Sequence, residues 1–382
     1  MLISQLYIPG AEGLQHILIE KGKIKSVGTD TVLKDGPVIR FENAMAFPGL
    51  INSHDHLEFN SFPRLGNHIY KNYTEWGDDI HVRNEDVIKV VQQIPAPLRV
   101  AWGLVKNLLN GVTTVVDHGK RREFKNPIIS VFNKCHSLHS LHYEKNWKRK
   151  LNLPFAKKWP YVVHIGEGTD PGSCREIDQL LKFNHFKRPV VAVHGVAMNA
   201  LQAPSFKALV WCPASNYFLL DSTTDIASLK HKTSILFGTD STLSSGWNAW
   251  EHIRRARLNG GLTDEELFDA LNITAATVWQ MYDRGSISEG KTADIVVAKT
   301  RGHGFEAFYA IDPPDILLVM TRGVIRLFDH RLLEQLKNIE LSGYSRIRVG
   351  TEYKFINSNI AVLAAEIRKY YPGISFPVEI IS

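Results

Sequence analysis

Phe47-Pro-Gly-Leu-Ile-Asn-Ser-His-Asp-His56 is an apolar run that ends in two histidines one residue apart. In an extended strand successive side chains take opposite faces, so His54 and His56 point one way and Asp55 the other. One strand can thereby offer two imidazoles to one metal ion. Alone the pair is a weak signal, because two ordinary polar residues at a strand end read the same way. The flanking sequence has to decide.

Upstream, residues 2–8 and 16–20 alternate or cluster apolar side chains, and Glu20 to Gly28 supplies a glycine turn and another strand. Val38 to Phe47 leads directly into the histidine run. Downstream the pattern turns helical between 84 and 110. Asn84 stands before Glu85-Asp86 as a cap, and Leu98 to Leu109 repeats apolar residues at three and four spacing until Gly111. Thr113 to His118 reads as a buried strand. Ile128 to Phe132 and Leu138 to His142 are candidate strands around a loop. From Trp159 the rhythm is regular: strands at 161–164, 190–194, 208–212 and 234–240 alternate with helices at 173–183, 198–206 and 224–229. A long helical region follows from 247 to 282, broken near Gly260-Gly261.

Strands that alternate with helices, each strand a continuous apolar run, specify a parallel sheet buried on both faces. Repetition on this scale favours a closed (β/α)8 barrel of TIM type over an open doubly wound sheet, although the pattern allows both. After Asp283 the texture returns to that of the first 45 residues. The expected organisation is a barrel over 46–285, a small β-sandwich made of 1–45 with 286–330, and a C-terminal extension over 331–382. The extension holds a strand around Ile347 and an amphipathic helix from Asn359 to Tyr370. Only about 40 residues separate the second strand from Tyr161, which is cramped for two full βα units. The third and fourth units are therefore expected to be abbreviated.

Composition narrows the class. A chain of 382 residues with 44% hydrophobic and 22% charged residues is globular rather than disordered. The net charge of +6 and isoelectric point near 9.0 come from Lys and Arg spread along the chain. The denser Lys145-Asn-Trp-Lys-Arg-Lys150 reads as a solvated face, since no nucleic-acid-binding signature accompanies it. Cys135, Cys174 and Cys212 form no Cys-x-x-Cys pair, which fits a reducing compartment, and no apolar stretch is long enough to span a bilayer. A cytoplasmic protein acting on a small molecule is expected, without nucleic-acid or membrane partners and with homo-oligomerisation left open.

Active sites of such barrels gather at the carboxyl ends of the strands. Four candidate strands end in metal-type residues here: His54 with His56, His164, His194 and Asp240. Pro48 to His56, Gly111 to Asp117, His164-Ile-Gly-Glu167, Val193-His-Gly195, Cys212 to Asn216, Gly238-Thr-Asp-Ser241 and Gly290 to Ile295 occur in that order. The set resembles the amidohydrolase superfamily, in particular its mononuclear-metal branch of deaminases and triazine-type hydrolases.

The resemblance implies a divalent ion held by His54, His56, His164 and Asp240, with Glu167, His194 and Asp240 catalytic. Three neutral imidazoles and a carboxylate suit Zn²⁺ first and Fe²⁺ second, leaving a place for a water whose pKa falls to about 7. Glu167 could equally be a solvated loop carboxylate, and His194 a rim histidine. The loop after the first strand is where the family recognises substrate, so Glu58, Arg64, Asn67 and Trp76 are candidate contacts, with His142 and Asn216 beside them. His118, His136, His139 and His142 could add substrate contacts or a second metal ligand, with core or surface histidines the simpler account.

The implied reaction is deamination of an aminated heterocycle such as a purine, pyrimidine or pterin. The same site could hydrolyse an amide or expel a halide. A catalytically silent barrel serving as a scaffold is the reading from another class.

Overall fold

The computed structural model describes residues 1–33, 36–338 and 340–381. Apolar β-branched runs build its centre. β1 (Leu50–Asp55), β2 (Val112–Asp117) and β3 (Ser130–Phe132) form one sheet. β4 (His136–Ser140), β5 (Tyr161–Ile165), β6 (Val190–His194), β7 (Ala208–Trp211) and β8 (Ser234–Phe237) form a second, in the order β8-β7-β6-β5-β4. Every neighbouring pair is parallel. All residues of β5, β6 and β7 are buried, as strands covered on both faces must be. Helices Pro171–Phe183, Pro213–Leu220, Ala249–Asn259, Asp264–Ala270 and Ile273–Val278 alternate with or follow these strands. The helix Asp264–Ala270 starts at a capping box in which Thr263 and Glu266 satisfy each other's backbone amides.

The eight strands are thus present, but the closed barrel is not. Among the described residues no ladder joins β3 to β4 or β8 to β1. Only Asn133, Lys134 and Cys135 link β3 to β4, far short of the dozen or so residues a parallel crossover needs. The shortfall lies in the cramped stretch before Tyr161. At the other gap the chain after β8 still reaches β1, because Thr239 and Asp240 donate their backbone N–H groups to the carbonyl of His54, each at 3.1 Å. Gly238 makes that approach possible, since a Cβ there would lie 2.8 Å from the Cβ of His54.

Strands from both chain ends share a different sheet. Its order is Glu379–Ile381, Ser345–Val349, Glu352–Ile356, Val324–Asp329, Ile316–Thr321, Ile295–Lys299, Val38–Pro48, Leu2–Tyr7, Gln15–Glu20, Lys23–Gly28. Strands of 1–45 and 286–330, expected in a small sandwich, lie in one continuous ten-stranded sheet that also takes in three strands of the C-terminal segment. Ile39, Ile295, Leu318 and Phe328 are among the buried residues of its core. The helix Ile360–Arg368 lies in the expected place, and Phe376 beyond it meets Trp102 of helix Ala96–Leu109 edge-on at 4.6 Å. Val38–Pro48 runs out of the large sheet straight into β1, so the sheet anchors the strand that carries His54. Among the described residues no helix is long and apolar enough to cross a membrane.

Candidate metal centre

β1 delivers His54 and His56 to one side and Asp55 to the other, as strand alternation requires. On the inner side His54 Nε2 lies 3.1 Å from His164 Nε2, and His56 Nε2 lies 3.3 Å from the same atom. Asp240 Oδ1 stands 3.8 Å from His54 Nε2 and 3.7 Å from His56 Nε2. All four side chains are buried. Four donors about 2.1 Å from one tetrahedral ion would be separated by roughly 3.4 Å, so these separations suit a single divalent cation.

The electrostatics agree with the geometry. Burial, reinforced by the neighbouring imidazoles, holds His54 and His164 well below the ordinary histidine range. They are neutral, with lone pairs available. Burial alone would raise Asp240, but His56, His194 and the hydroxyls of Ser244 and Ser215 outweigh it and keep the carboxylate ionised. Those hydroxyls donate to Oδ2 at 2.6 and 2.9 Å, which leaves Oδ1 for the histidines.

His194 ends β6 and Asp240 follows β8, both in the left-handed backbone region, with φ of 68° and 55°. Such turns cost non-glycine residues on the order of 1–3 kcal/mol and cluster where function needs a side chain re-aimed. His194 Nδ1 donates to Asn216 Oδ1 at 2.7 Å, which turns the lone pair of Nε2 toward Glu167 Oε1, 3.5 Å away. Glu167 Oε2 is 3.7 Å from His164 Nδ1. Burial, then the charges of Asp240 and Glu176, push the Glu167 carboxyl well above the usual range.

Behind β1 a second network fixes the strand. Asp55 Oδ2 accepts from Lys106 Nζ at 2.9 Å and Asn107 Nδ2 at 2.7 Å, while Oδ1 accepts from Asn60 Nδ2 at 2.7 Å. Lys106 and Asp55 are both fully enclosed. Removing one partner of such a pair strands a buried charge, so Lys106→Met is expected to cost about 3–5 kcal/mol of folding stability. A urea midpoint equal to that of the parent chain would show that Asp55 is satisfied without Lys106.

The candidate contacts are scattered. Trp76 lines the cavity over the histidines, together with His56, Glu167 and Asp240. Glu58 does not; it pairs with Arg122 at 2.8 Å. Arg64 is exposed and lies over the Phe218 ring, and exposed Asn67 meets the His68 ring. His142 is exposed in a separate groove beside Asp170 and Glu176, and Asn216 is buried against His194. Lys145 lies outside both the cavity and the histidine cluster.

Two features were not singled out from sequence: Ser244 supports Asp240, and Lys106 supports Asp55. His118, named above among histidines that could add a substrate contact or a second metal ligand, stacks on His56 with ring centroids 5.4 Å apart. Its ring nitrogens have no hydrogen-bond partner, and one of them lies within 4.8 Å of the ligand atoms of His54, His56 and His164. A strand-end residue following Asp117 was the available signal.

A parallel α/β core that gathers imidazoles and a carboxylate at its strand ends resembles the core expected of the metal-dependent amidohydrolases. The amidohydrolase family model matches residues 168–326, and the proteins this chain is similar to include deaminases and triazine hydrolases. A 5-methylthioadenosine/S-adenosylhomocysteine deaminase from Caldicellulosiruptor saccharolyticus is 24% identical over 83% of this chain and 89% of its own. An adenosine deaminase from Xanthomonas campestris, solved with bound zinc, aligns at a TM-score of 0.73 and 18% identity, over 98% of each chain. Atrazine chlorohydrolase from Arthrobacter aurescens, complexed with zinc, aligns at 0.60 and 17% identity, over 85% of this chain and 94% of that one.

Proposed function

We propose that this chain is a metal-dependent aminohydrolase that replaces an amino group on a heterocycle by oxygen and releases ammonia. The convergence of His54, His56 and His164 Nε2 with Asp240 Oδ1, beside Glu167 at the base of a cavity, carries the reading. Those four side chains would hold one divalent ion, zinc ahead of iron given the donors and the zinc-bound relatives. Such an ion, when bound, lowers the pKa of a water to about 7.

The protein's own groups do the rest. Asp240, ionised and with Oδ1 turned inward, takes the water's proton as its oxygen bonds to the sp² carbon. Glu167 gives a proton to the ring nitrogen bonded to that carbon. His194, locked by Asn216, presents Nε2 to the oxygen or to Glu167 and stays in register. When the C–N bond breaks, the proton held by Asp240 passes to the amino group, which leaves as ammonia, and the added hydroxyl returns its proton to Glu167 as the carbonyl forms.

The experiment is ammonia release by the zinc-loaded enzyme across aminated purines, pyrimidines and pterins. At least one is expected to yield ammonia in step with loss of the amine. Turnover of simple amides or halogenated rings, with none of the aminated rings, would overturn deamination. The likeness to atrazine chlorohydrolase favours displacement of another leaving group as the second reading. The ion and its water do not choose what departs.

A further inference from the structure

The cavity above the histidines has a volume of about 350 Å³ and is chemically lopsided. Its base is His56, His164, Glu167 and Asp240. Its walls are Phe59, Phe62, Ile80, Ile88 and Leu243. Two further aromatic walls have spent their polar atoms elsewhere. Trp76 donates its indole N–H to the carbonyl of Leu65 at 2.8 Å, and Tyr73 donates its hydroxyl to Glu176 at 3.0 Å. Neither the indole N–H nor the phenol O–H is therefore free to donate to a ligand. Glu58, the carboxylate that follows His56 most closely in the chain, is held by Arg122 instead. Among the described residues no lysine or arginine lines this space, and its carboxylates, Glu167 and Asp240, both sit at the histidine cluster. His81, Gln92, His139, Tyr143 and Ser241 are the polar groups left for the body of a ligand.

From this we infer that the site takes an uncharged heterocycle whose remaining bulk is apolar, and discriminates against the same ring carrying a phosphate, a zwitterionic tail or a sugar. The inference rests on the aminohydrolase reading for the reacting end alone. A charged substituent held among the Phe59, Phe62 and Leu243 walls would have no lysine or arginine to meet it. Each sugar hydroxyl turned toward the Phe59, Phe62 and Leu243 walls would lose a hydrogen bond to water without replacement. An aryl or alkyl substituent gains by leaving water for the same walls.

Three 6-aminopurines that differ in one substituent test it: 9-benzyladenine, adenosine and adenosine 5′-monophosphate. They are titrated calorimetrically into zinc-loaded Glu167→Gln protein, in which turnover is slowed, and are offered in parallel to the zinc-loaded parent enzyme. The benzyl compound is expected to bind about 30-fold more tightly than adenosine, with the monophosphate weakest. An equal or reversed order, or no binding by any of the three, overturns the inference. The predicted affinity order without ammonia from the parent enzyme supports the pocket's preference and tells against the deamination reading, which separates the two failures.

Discussion

His164→Ala protein is expected to purify nearly free of metal and to be inactive, whereas the parent chain carries close to one divalent ion. His164 Nε2 is the shared point of the cluster, 3.1 Å from His54 Nε2 and 3.3 Å from His56 Nε2. Disturbing only a supporting partner of a metal ligand typically costs about 10–100-fold in affinity, and removing the central ligand should exceed that. Elemental analysis after dialysis against a weak chelator reads the result directly. Full metal occupancy in the variant would dismiss the assignment of His164 and leave His118, already beside His56, as the imidazole to examine.

Glu167→Gln should behave in the opposite way. The amide keeps the size of the carboxyl, and the residue stands 3.5 Å from His194 rather than among the four converging atoms. Metal content is expected to stay near one per chain while kcat falls by about 10²–10⁴, the usual contribution of a positioned proton donor. KM should move far less than kcat. An unchanged kcat would remove Glu167 from the reaction. The two variants together separate holding the ion from moving the proton, which a single inactive mutant cannot do.

The loop after β1 shows where local reading stops. Residues 57 to 76 read as a substrate-recognition loop, yet the chain enters a helix at Tyr73–Arg83, where Asn72 accepts from the amides of Thr74 and Glu75. An asparagine followed three residues later by glutamate was the available cue. The Tyr73 and Trp76 rings reach the cavity because this helix lies over it. Glu58, by contrast, was a sound candidate by position and was drawn to Arg122, a residue in the poorly patterned stretch before β3. No spacing rule connects those two residues. The abbreviated third and fourth units were visible as a shortage of chain, but how the sheet accommodates them was not.

The amino-acid sequence by itself determined which residues could meet at one end of the strands. His54 and His56 share a face through strand alternation, and His164, His194 and Asp240 each close an apolar run, both of which are local properties of a few consecutive side chains. Only the tertiary structure decided how these groups are held and what they face. Asp55 meets Lys106 across 51 residues, His194 meets Asn216 across 22, and Asp240 takes hydroxyls from Ser215 and Ser244. These partnerships depend on which buried polar group finds a donor once water is excluded, and that is settled by packing between distant segments rather than by any pattern along the chain.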